Sequence, residues 1–411
     1  MDPTLPAIQL KNSFSKPRIP ATLDRDSLSW YTVPLQIAKK IIPVKQLSEI
    51  DTEILTRDKF QLLNCDATQY LQLQNLKDQF APISKSIFNK ARINTNPYEK
   101  LGRSIFGNRA AVKLANVDAL YNLTGTFDTF PLEDSSNYIF CDIASAPGSW
   151  SEYLQFRKPD AHGYAMSIRS KDTHLNFDTK RLNMEKMTIE YGPDNTGNLY
   201  TNHLYFANLI RVDNPEGVDL VMGDGGLEVE NREDLQEILS SRLILTELLV
   251  GLKCLKETGR LLIKLFDSVL QITQDIIYIA SLCFDKISIV KPISSRPANA
   301  ERYLIGYNYR PEIGAICIKM IEEILIAYDQ ITQKTNQNMF GKILDVEYDP
   351  EFNAYMTEIN NYSIQNQMIA TQSILEYANN QNTKLILVPE LNLNLAFQLW
   401  KLPGNIPGNR G

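Results

Sequence analysis

Between residues 138 and 307, short apolar runs alternate with helical stretches, and this alternation limits the chain to one broad class of fold. Tyr138–Asp142, Gly163–Ile168, Met187–Tyr191, Val218–Gly223, Leu261–Phe266, Ile287–Lys291 and Tyr303–Tyr307 read as strands. Between the fourth and fifth lies REDLQEILSSRLILTELLVGLKCLKETG, whose apolar positions recur every three and four residues. It is expected to run as a helix to a stop at Gly259. VLQITQDIIYIASLCF, between the fifth and sixth, is a second helical stretch. The pattern predicts a mostly parallel sheet with helices on both faces and a ligand site beyond the carboxyl ends of the strands. Asp142, Asp224 and Lys264 fall at or near such ends. Only Pro292 to Arg302 separates the last two strands, too little for a crossover helix, so they should pair antiparallel.

The flanks read differently. Residues 1–60 carry Pro3, Pro6, Pro17, Pro20, Pro34 and Pro43 and few periodic stretches, which fits an irregular arm with no chemistry assigned. Residues 61–310 hold the core, which opens with the helical QLLNCDATQYLQLQNLKDQF; Asn96-Pro97 ends that pattern before a further helical stretch from Arg103 to Leu123. Residues 311–411 read as a helical extension packed on the core, with helical stretches Ile316–Gln333 and Met368–Asn379 and a strand candidate, KLILVPE. No run approaches the roughly 18–20 apolar residues a membrane helix needs, and the amino terminus lacks a secretory layout. An intracellular, soluble protein without membrane contact is expected.

Several chemistries have little to work with here. The five cysteines are widely spaced, with no Cys-x-x-Cys pair, so neither a disulfide framework nor a zinc site is expected. The three histidines, His162, His174 and His203, are not at ligand spacing, and no metal is expected. The net charge of -6 argues against a general nucleic-acid binder. One segment departs from it: Lys85, Lys90, Arg92, Lys100, Arg103, Arg109 and Lys113 face a single acid, Glu99. A merely solvated face would mix signs.

Four short stretches could carry the chemistry. In DIASAPGSW a strand gives way to a helix, and the Gly-x-Gly-x-x-Gly of a dinucleotide site is absent. Its small residues would let a nucleoside without phosphates lie close; a plain strand-to-helix corner would look the same. In VMGDGG, Asp224 ends an apolar strand, either as a turn residue followed by glycines at positive φ or as a site acid. The two prolines common after the acidic residue in base-nitrogen methyltransferases are missing. In GRLLIKLFDS, Lys264 interrupts a strand expected to be buried, as a partnered lysine or one snorkelling to solvent. In KPISSRPANAERYLIGY, Arg296, Asn299 and Glu301 precede the last strand.

With a lysine of the basic segment, the aspartate after the fourth strand, the lysine on the fifth and the glutamate before the last strand would converge at one end of the sheet. Methyl transfer to a ribose hydroxyl asks for such a set, because the hydroxyl must be deprotonated and aligned while the donor already carries a good leaving group. A lysine whose pKa is lowered by burial and a positive neighbour would serve as the base.

The set Lys113, Asp224, Lys264 and Glu301 resembles the FtsJ-like family of RNA 2′-O-ribose methyltransferases. The likeness is nearest to the cap-1 messenger-RNA enzymes of eukaryotes and their viral relatives. It is carried by NPYEKLGRSIFGNRAAVKLANVDALY, ASAPGSWSEYL, VMGDGG, EDLQEILSSRLIL, IKLFDS and KPISSRPANAERY, and runs from near Arg92 to the closing LWKLP. The resemblance implies a class I, Rossmann-like α/β fold with seven strands, the last antiparallel. It implies S-adenosylmethionine as methyl donor, held by Asn108, by the turn Ala144, Ser145, Ala146, Pro147, Gly148, Ser149 and Trp150, and by Asn198 and Leu199. It implies that Lys113 and Asp224 orient the 2′-hydroxyl of the first transcribed nucleotide, that Lys264 takes its proton and that Glu301 holds Lys264. Capped messenger RNA would meet Lys77, Asp78, Arg92, Asp234, Leu235, Gln236 and Asn299. Other capping or transcription proteins are implied partners, with the nucleus, or the cytoplasm for a viral form, as the place of action. The chain has no length for the flanking domains of the cellular enzymes, so a compact, viral version is expected. A ribosomal- or transfer-RNA methyltransferase, or a silent RNA-binding scaffold of the same fold, are the alternatives. The family turn usually ends in two glycines, and here Ser149 stands for the second. Serine is strained there if that position needs positive φ, and harmless if it is the first helical residue.

Overall fold

The computed structural model describes residues 29–32, 47, 49–51, 59–102, 105–125, 137–172, 175–227, 229, 232–332, 338–380 and 393–403. The strand candidate KLILVPE, Arg103, His174 and most of residues 1–60 lie outside the described residues.

The strands are β1 (Glu49–Asp51), β2 (Ile139–Ile143), β3 (His162–Met166), β4 (Met187–Glu190), β5 (Val218–Gly223), β6 (Leu255–Phe266), β7 (Phe284–Val290), β8 (Glu301–Tyr309) and β9 (Asn338–Phe340). The helices are α1 (Ala67–Asp78), α2 (Lys85–Thr95), α3 (Arg109–Tyr121), α4 (Ser149–Arg157), α5 (Leu199–Asp213), α6 (Gln236–Cys254), α7 (Gln271–Cys283), α8 (Pro311–Thr332), α9 (Pro350–Asn379) and α10 (Leu393–Leu399). Seven strands form one sheet in the order β4-β3-β2-β5-β6-β8-β7, and β1 with β9 forms a separate antiparallel pair. β2 to β6 pair in parallel, whereas β8 runs antiparallel to both β6 and β7. The expected closing hairpin is therefore present, with its last strand slotted inward beside β6.

Side chains one residue apart on a strand point to opposite faces, and the core divides accordingly. Phe140, Leu220, Met222, Leu262, Tyr303 and Ile305 pack with α3, α4 and α10 on one face. Cys141, Ile143, Val221, Leu261, Ile263 and Leu304 pack with α5 to α8 on the other. Burying one leucine such as Leu262 is worth ~2 kcal/mol, so these two apolar layers fix the sheet. The polar side chains at its carboxyl end are then free to serve the site.

The long α6 helix stops at Cys254, short of the expected stop at Gly259. Leu255 already pairs with Val218, a register shift follows, and Thr258 has a φ of 63°. A Cβ at Gly259 would lie 2.9 Å from the Lys256 carbonyl oxygen and 3.2 Å from that of Val218. Gly259 thus serves an irregular strand entry through which backbones pass closely, a role helical periodicity cannot register.

The carboxyl-terminal helix α9 begins at Pro350, well before the expected Met368. Asp349 caps it by accepting the Phe352 N–H at 2.9 Å, with Pro350 in the first turn. It packs against α1 and α2, reaches the sheet through the Tyr355 hydroxyl, which accepts from the β7 Ile289 N–H at 2.8 Å, and holds the segment after β6 through Asn360, whose Nδ2 donates to the Asn64 and Ser268 carbonyls at 3.0 and 2.9 Å. Among the described residues no helix is long and apolar enough to cross a membrane, and no three His, Cys, Asp or Glu side chains cluster as metal ligands. All five cysteines are free thiols.

Candidate active site

Lys264 lies opposite Tyr303, and Phe266 opposite Glu301, across the antiparallel β6–β8 pair. Lys264 and Glu301 are therefore diagonal neighbours on one face of the sheet. Helix α3 crosses the same face and brings Lys113 Nζ to 2.7 and 2.8 Å from the two oxygens of Glu301. At the end of β5, the Asp224 carbonyl accepts from Lys264 Nζ at 2.7 Å, and its Oδ1 stands 3.1 Å from the same nitrogen. The four residues thus gather as two ion pairs, Lys113–Glu301 and Lys264–Asp224. The direct partner of Glu301 is Lys113 rather than Lys264, on which Glu301 acts through space.

Electrostatics corrects one expectation. Burial pushes the Lys264 ammonium toward the neutral form, but Asp224, Glu301 and Glu247 outweigh it, so its pKa is raised, not lowered. Glu301 is the converse case. Burial favours its neutral form, yet Lys113, Lys264 and Lys291 bring its carboxyl down to about 2. It also accepts from Ser295 Oγ at 2.7 Å and the Tyr303 hydroxyl at 3.3 Å.

The loop between β7 and β8 is pinned to this centre. Lys291 Nζ donates to the carbonyl and Oδ1 of Asn299, both at 2.6 Å, and to the Glu301 carbonyl at 2.7 Å. Farther along the loop, Arg296 meets Glu99 at 3.0 Å, and the same carboxylate is 3.1 Å from Arg92 and 2.8 Å from Arg109. Arg92 and Asn299 are so joined through one loop, next to the tetrad. Lys77 donates to Gln367 at 2.8 Å, Gln367 to Asp267 at 3.1 Å, and Asp267 pairs with Arg302 at 2.6 Å, so a polar chain links α1 to the residue after Glu301. Asp78 is exposed at the end of α1. Leu235 is buried at the start of α6, while Asp234 and Gln236 are half-buried. The neighbouring Glu237 holds the Leu270 N–H at 2.9 Å, which fixes that helix start near the end of β6.

The expected donor residues open three helices near the carboxyl ends of β2 to β4. Asn108 caps α3 through Ala110 N–H at 2.8 Å, and Asn198 caps α5 through Tyr200 N–H at 3.0 Å, with Leu199 the first residue of that helix. Trp150 Nε1 donates to the Ala110 carbonyl at 3.0 Å and ties the starts of α3 and α4 together. Between β2 and α4, Ala144 has a φ of 52°, Gly148 a φ of 100°, and Gly148 closes back onto the Ser145 carbonyl at 2.8 Å. Ala144, Ala146 and Pro147 remain partly accessible, and small side chains line the turn. A Cβ at Gly148 would stand 3.0 Å from Phe177 and 3.3 Å from Leu182. Gly148 is the left-handed residue and Ser149 the first helical one, so serine here is the harmless case.

Three features escaped the sequence reading. Glu99 was visible only as the lone acid in a basic run, which is itself the signal of a hub for several arginines. Lys291 directly follows the apolar strand β7. Gly225 and Gly226 do not adopt positive φ; the first is required by close approach, since a Cβ there would be 2.3 Å from Glu247 Oε1. Asp142, at the end of β2, is also buried, accepts from the Ser151 hydroxyl at 2.5 Å, and is pushed up to about 7 by burial.

Residues 106–309 match the family described as FtsJ-like methyltransferase. The cap-specific mRNA (nucleoside-2'-O-)-methyltransferase 1 of Drosophila melanogaster is 29% identical over 360 residues, covering 83% of this chain and 45% of its own. The Mus musculus protein of the same name is 30% identical over 347 residues, 80% of this chain and 41% of its own. A Caenorhabditis briggsae protein, the inactive cap-specific mRNA (nucleoside-2'-O-)-methyltransferase 1B, is 29% identical over 357 residues, 77% of this chain and 41% of its own. The chain spans less than half the length of these relatives.

Proposed function

We propose that this chain, which carries an FtsJ-like methyltransferase domain over residues 106–309, transfers the methyl group of S-adenosylmethionine to the ribose 2′-hydroxyl of the first transcribed nucleotide of capped messenger RNA. The observation that carries the reading is the gathering of Lys113, Asp224, Lys264 and Glu301 as two ion pairs at the carboxyl end of the sheet. Relatives bearing the cap-specific name align well beyond the family domain, over about four fifths of the chain, which supports the cap as the recognised end. The division at residues 60 and 310 into arm, core and helical extension belongs to the same proposal, as does action on nascent transcripts in the nucleus.

The donor fits the three helix starts and the small-residue turn. Ala144 and Gly148 hold the backbone open there, and a side chain at Gly148 would press on Phe177. When bound, S-adenosylmethionine supplies an electrophilic methyl carbon on a sulfonium leaving group and adds a positive charge to the site. Within that field Lys264 is the group that accepts the hydroxyl proton, and Asp224, hydrogen-bonded to it through its carbonyl, keeps the amine in line. Glu301 holds Lys113 across the same face and balances the lysines. Arg92 and Asn299, fixed by Glu99 and Lys291, would receive the capped end.

A second reading, a silent scaffold, is favoured by one observation: a relative at 29% identity is named inactive. Labelled methyl transfer to matched short RNAs tests both. RNAs bearing an N7-methylated cap, an unmethylated cap or a free 5′-triphosphate should differ, with the capped forms labelled and the triphosphate not. Equal labelling of all three contradicts cap recognition; no labelling of any favours the scaffold.

A further inference from the structure

Beneath the Asp224 turn, α6 carries an acid that the mechanism above does not use. Glu247 is fully buried, and its Oε1 accepts from the Gly225 N–H at 3.0 Å. Its Oε2 has no hydrogen-bond partner among the described residues. The turn is folded tightly onto this carboxyl: a Cβ at Gly225 would lie 2.3 Å from Oε1, and one at Gly223 would lie 2.8 Å from Oε2. Gly225 directly follows Asp224, whose carbonyl receives the Lys264 hydrogen bond at 2.7 Å. A continuous path therefore runs from α6 through the turn to the amine that takes the proton.

We propose that Glu247 is a positioning residue for methyl transfer, an uncharged acid that braces the Asp224 turn from below and so fixes Lys264. The proposal rests on Lys264 being the proton acceptor. A buried carboxyl with one orphaned oxygen is expected to keep its proton. The groups facing it are Lys264 from β6, Gly225 and Asp224 from the turn after β5, Asp142 from β2, and Tyr200 from α5, whose hydroxyl burial holds un-ionised. Burial, opposed by Lys264 and the Gly225 N–H and reinforced by Asp224 and Asp142, pushes its carboxyl up to about 8. Neutral at pH 7, it would ionise above that value and place a negative charge toward Lys264. Lys264 would then hold its proton more tightly, and catalysis would slow relative to a chain that cannot ionise there.

The test measures kcat and KM across about pH 6.5 to 9.5 for the native chain, Glu247→Gln and Glu247→Leu. Glu247→Gln keeps the shape and the acceptor. Its kcat should lie within about threefold of native at neutral pH, and its ratio to native should climb by roughly tenfold toward the alkaline end. Glu247→Leu removes the brace and should lower kcat by roughly 10 to 100-fold with both KM values near native. A ratio that stays flat with pH overturns the proposal, as does native kcat in Glu247→Leu; if that variant does not fold, the glutamine ratio alone decides. Lys264→Ala is run alongside. If it is inactive while the ratio is flat, only the role of Glu247 falls; if it retains activity, the assignment of Lys264 falls and that of Glu247 with it.

Discussion

Lys264→Ala is expected to lower kcat for methyl transfer by about 10² to 10⁴-fold while changing donor affinity by less than about threefold. The amine lies 2.7 Å from the Asp224 carbonyl and on the same sheet face as Glu301, whereas the expected donor residues open α3, α4 and α5. Removing it therefore strips the proposed proton acceptor and leaves the small-residue turn untouched. The raised pKa of Lys264 sharpens the expectation. The reactive amine is a minor form at neutral pH, so native kcat should rise with pH, and the residual activity of the variant should lose that slope. Single-turnover rates and calorimetric titration with S-adenosylmethionine separate the two effects. Native turnover in the variant would mean that another group takes the proton.

Glu301→Gln should cost both activity and stability. The glutamine keeps the shape but leaves Lys113, Lys264 and Lys291 around a neutral group, and breaking a buried pair of this kind typically costs ~3–5 kcal/mol. The pH dependence has a definite sign. The folded carboxyl titrates at about 2 against an ordinary 4.5. Its contribution, ~3 kcal/mol by linkage, is thus fully present above the ordinary value and is lost as pH falls through about 2. Urea unfolding in this acid range should show stability falling in the native chain, while the glutamine variant lacks this part of the loss. Parallel curves for the two would mean that Glu301 is not held ionised by its lysines.

Much of the fold was legible in the sequence, and the rest for identifiable reasons. The strands of the main sheet announce themselves because buried parallel strands are near-continuous apolar runs, and Val218–Gly223 keeps its expected bounds. The early end of α6 was not legible, because Leu255 has the same apolar character whether it closes a helix or opens a strand. Nor was the start of α9, whose first turns, EFNAYMTEINNY, bury Phe352, Tyr355 and Met356 behind a polar sequence. In the site, the residue types and their strand-end positions were readable, but partners were not. Sequence order cannot tell that Glu301 pairs with Lys113 on α3 rather than with Lys264 on the next strand, since that depends on how α3 crosses the sheet. It also cannot reveal the sign of the Lys264 shift, in which Asp224 and Glu301, from separate elements, lead the groups that outweigh burial. Glu99 shows the opposite: a lone acid among cations looked incidental, and it gathers three arginines.

The proposed activity delivers the methyl group to one particular oxygen, the 2′-hydroxyl of the first transcribed nucleotide. It is tested most directly with capped RNAs that differ by a single atom. One carries ribose throughout, one a 2′-deoxyribose at the first transcribed nucleotide, and one a 2′-deoxyribose at the second. Labelled methyl uptake is expected for the all-ribose and second-position RNAs and absent for the first-position one. Labelling of the first-position deoxy RNA at the all-ribose rate would contradict the account.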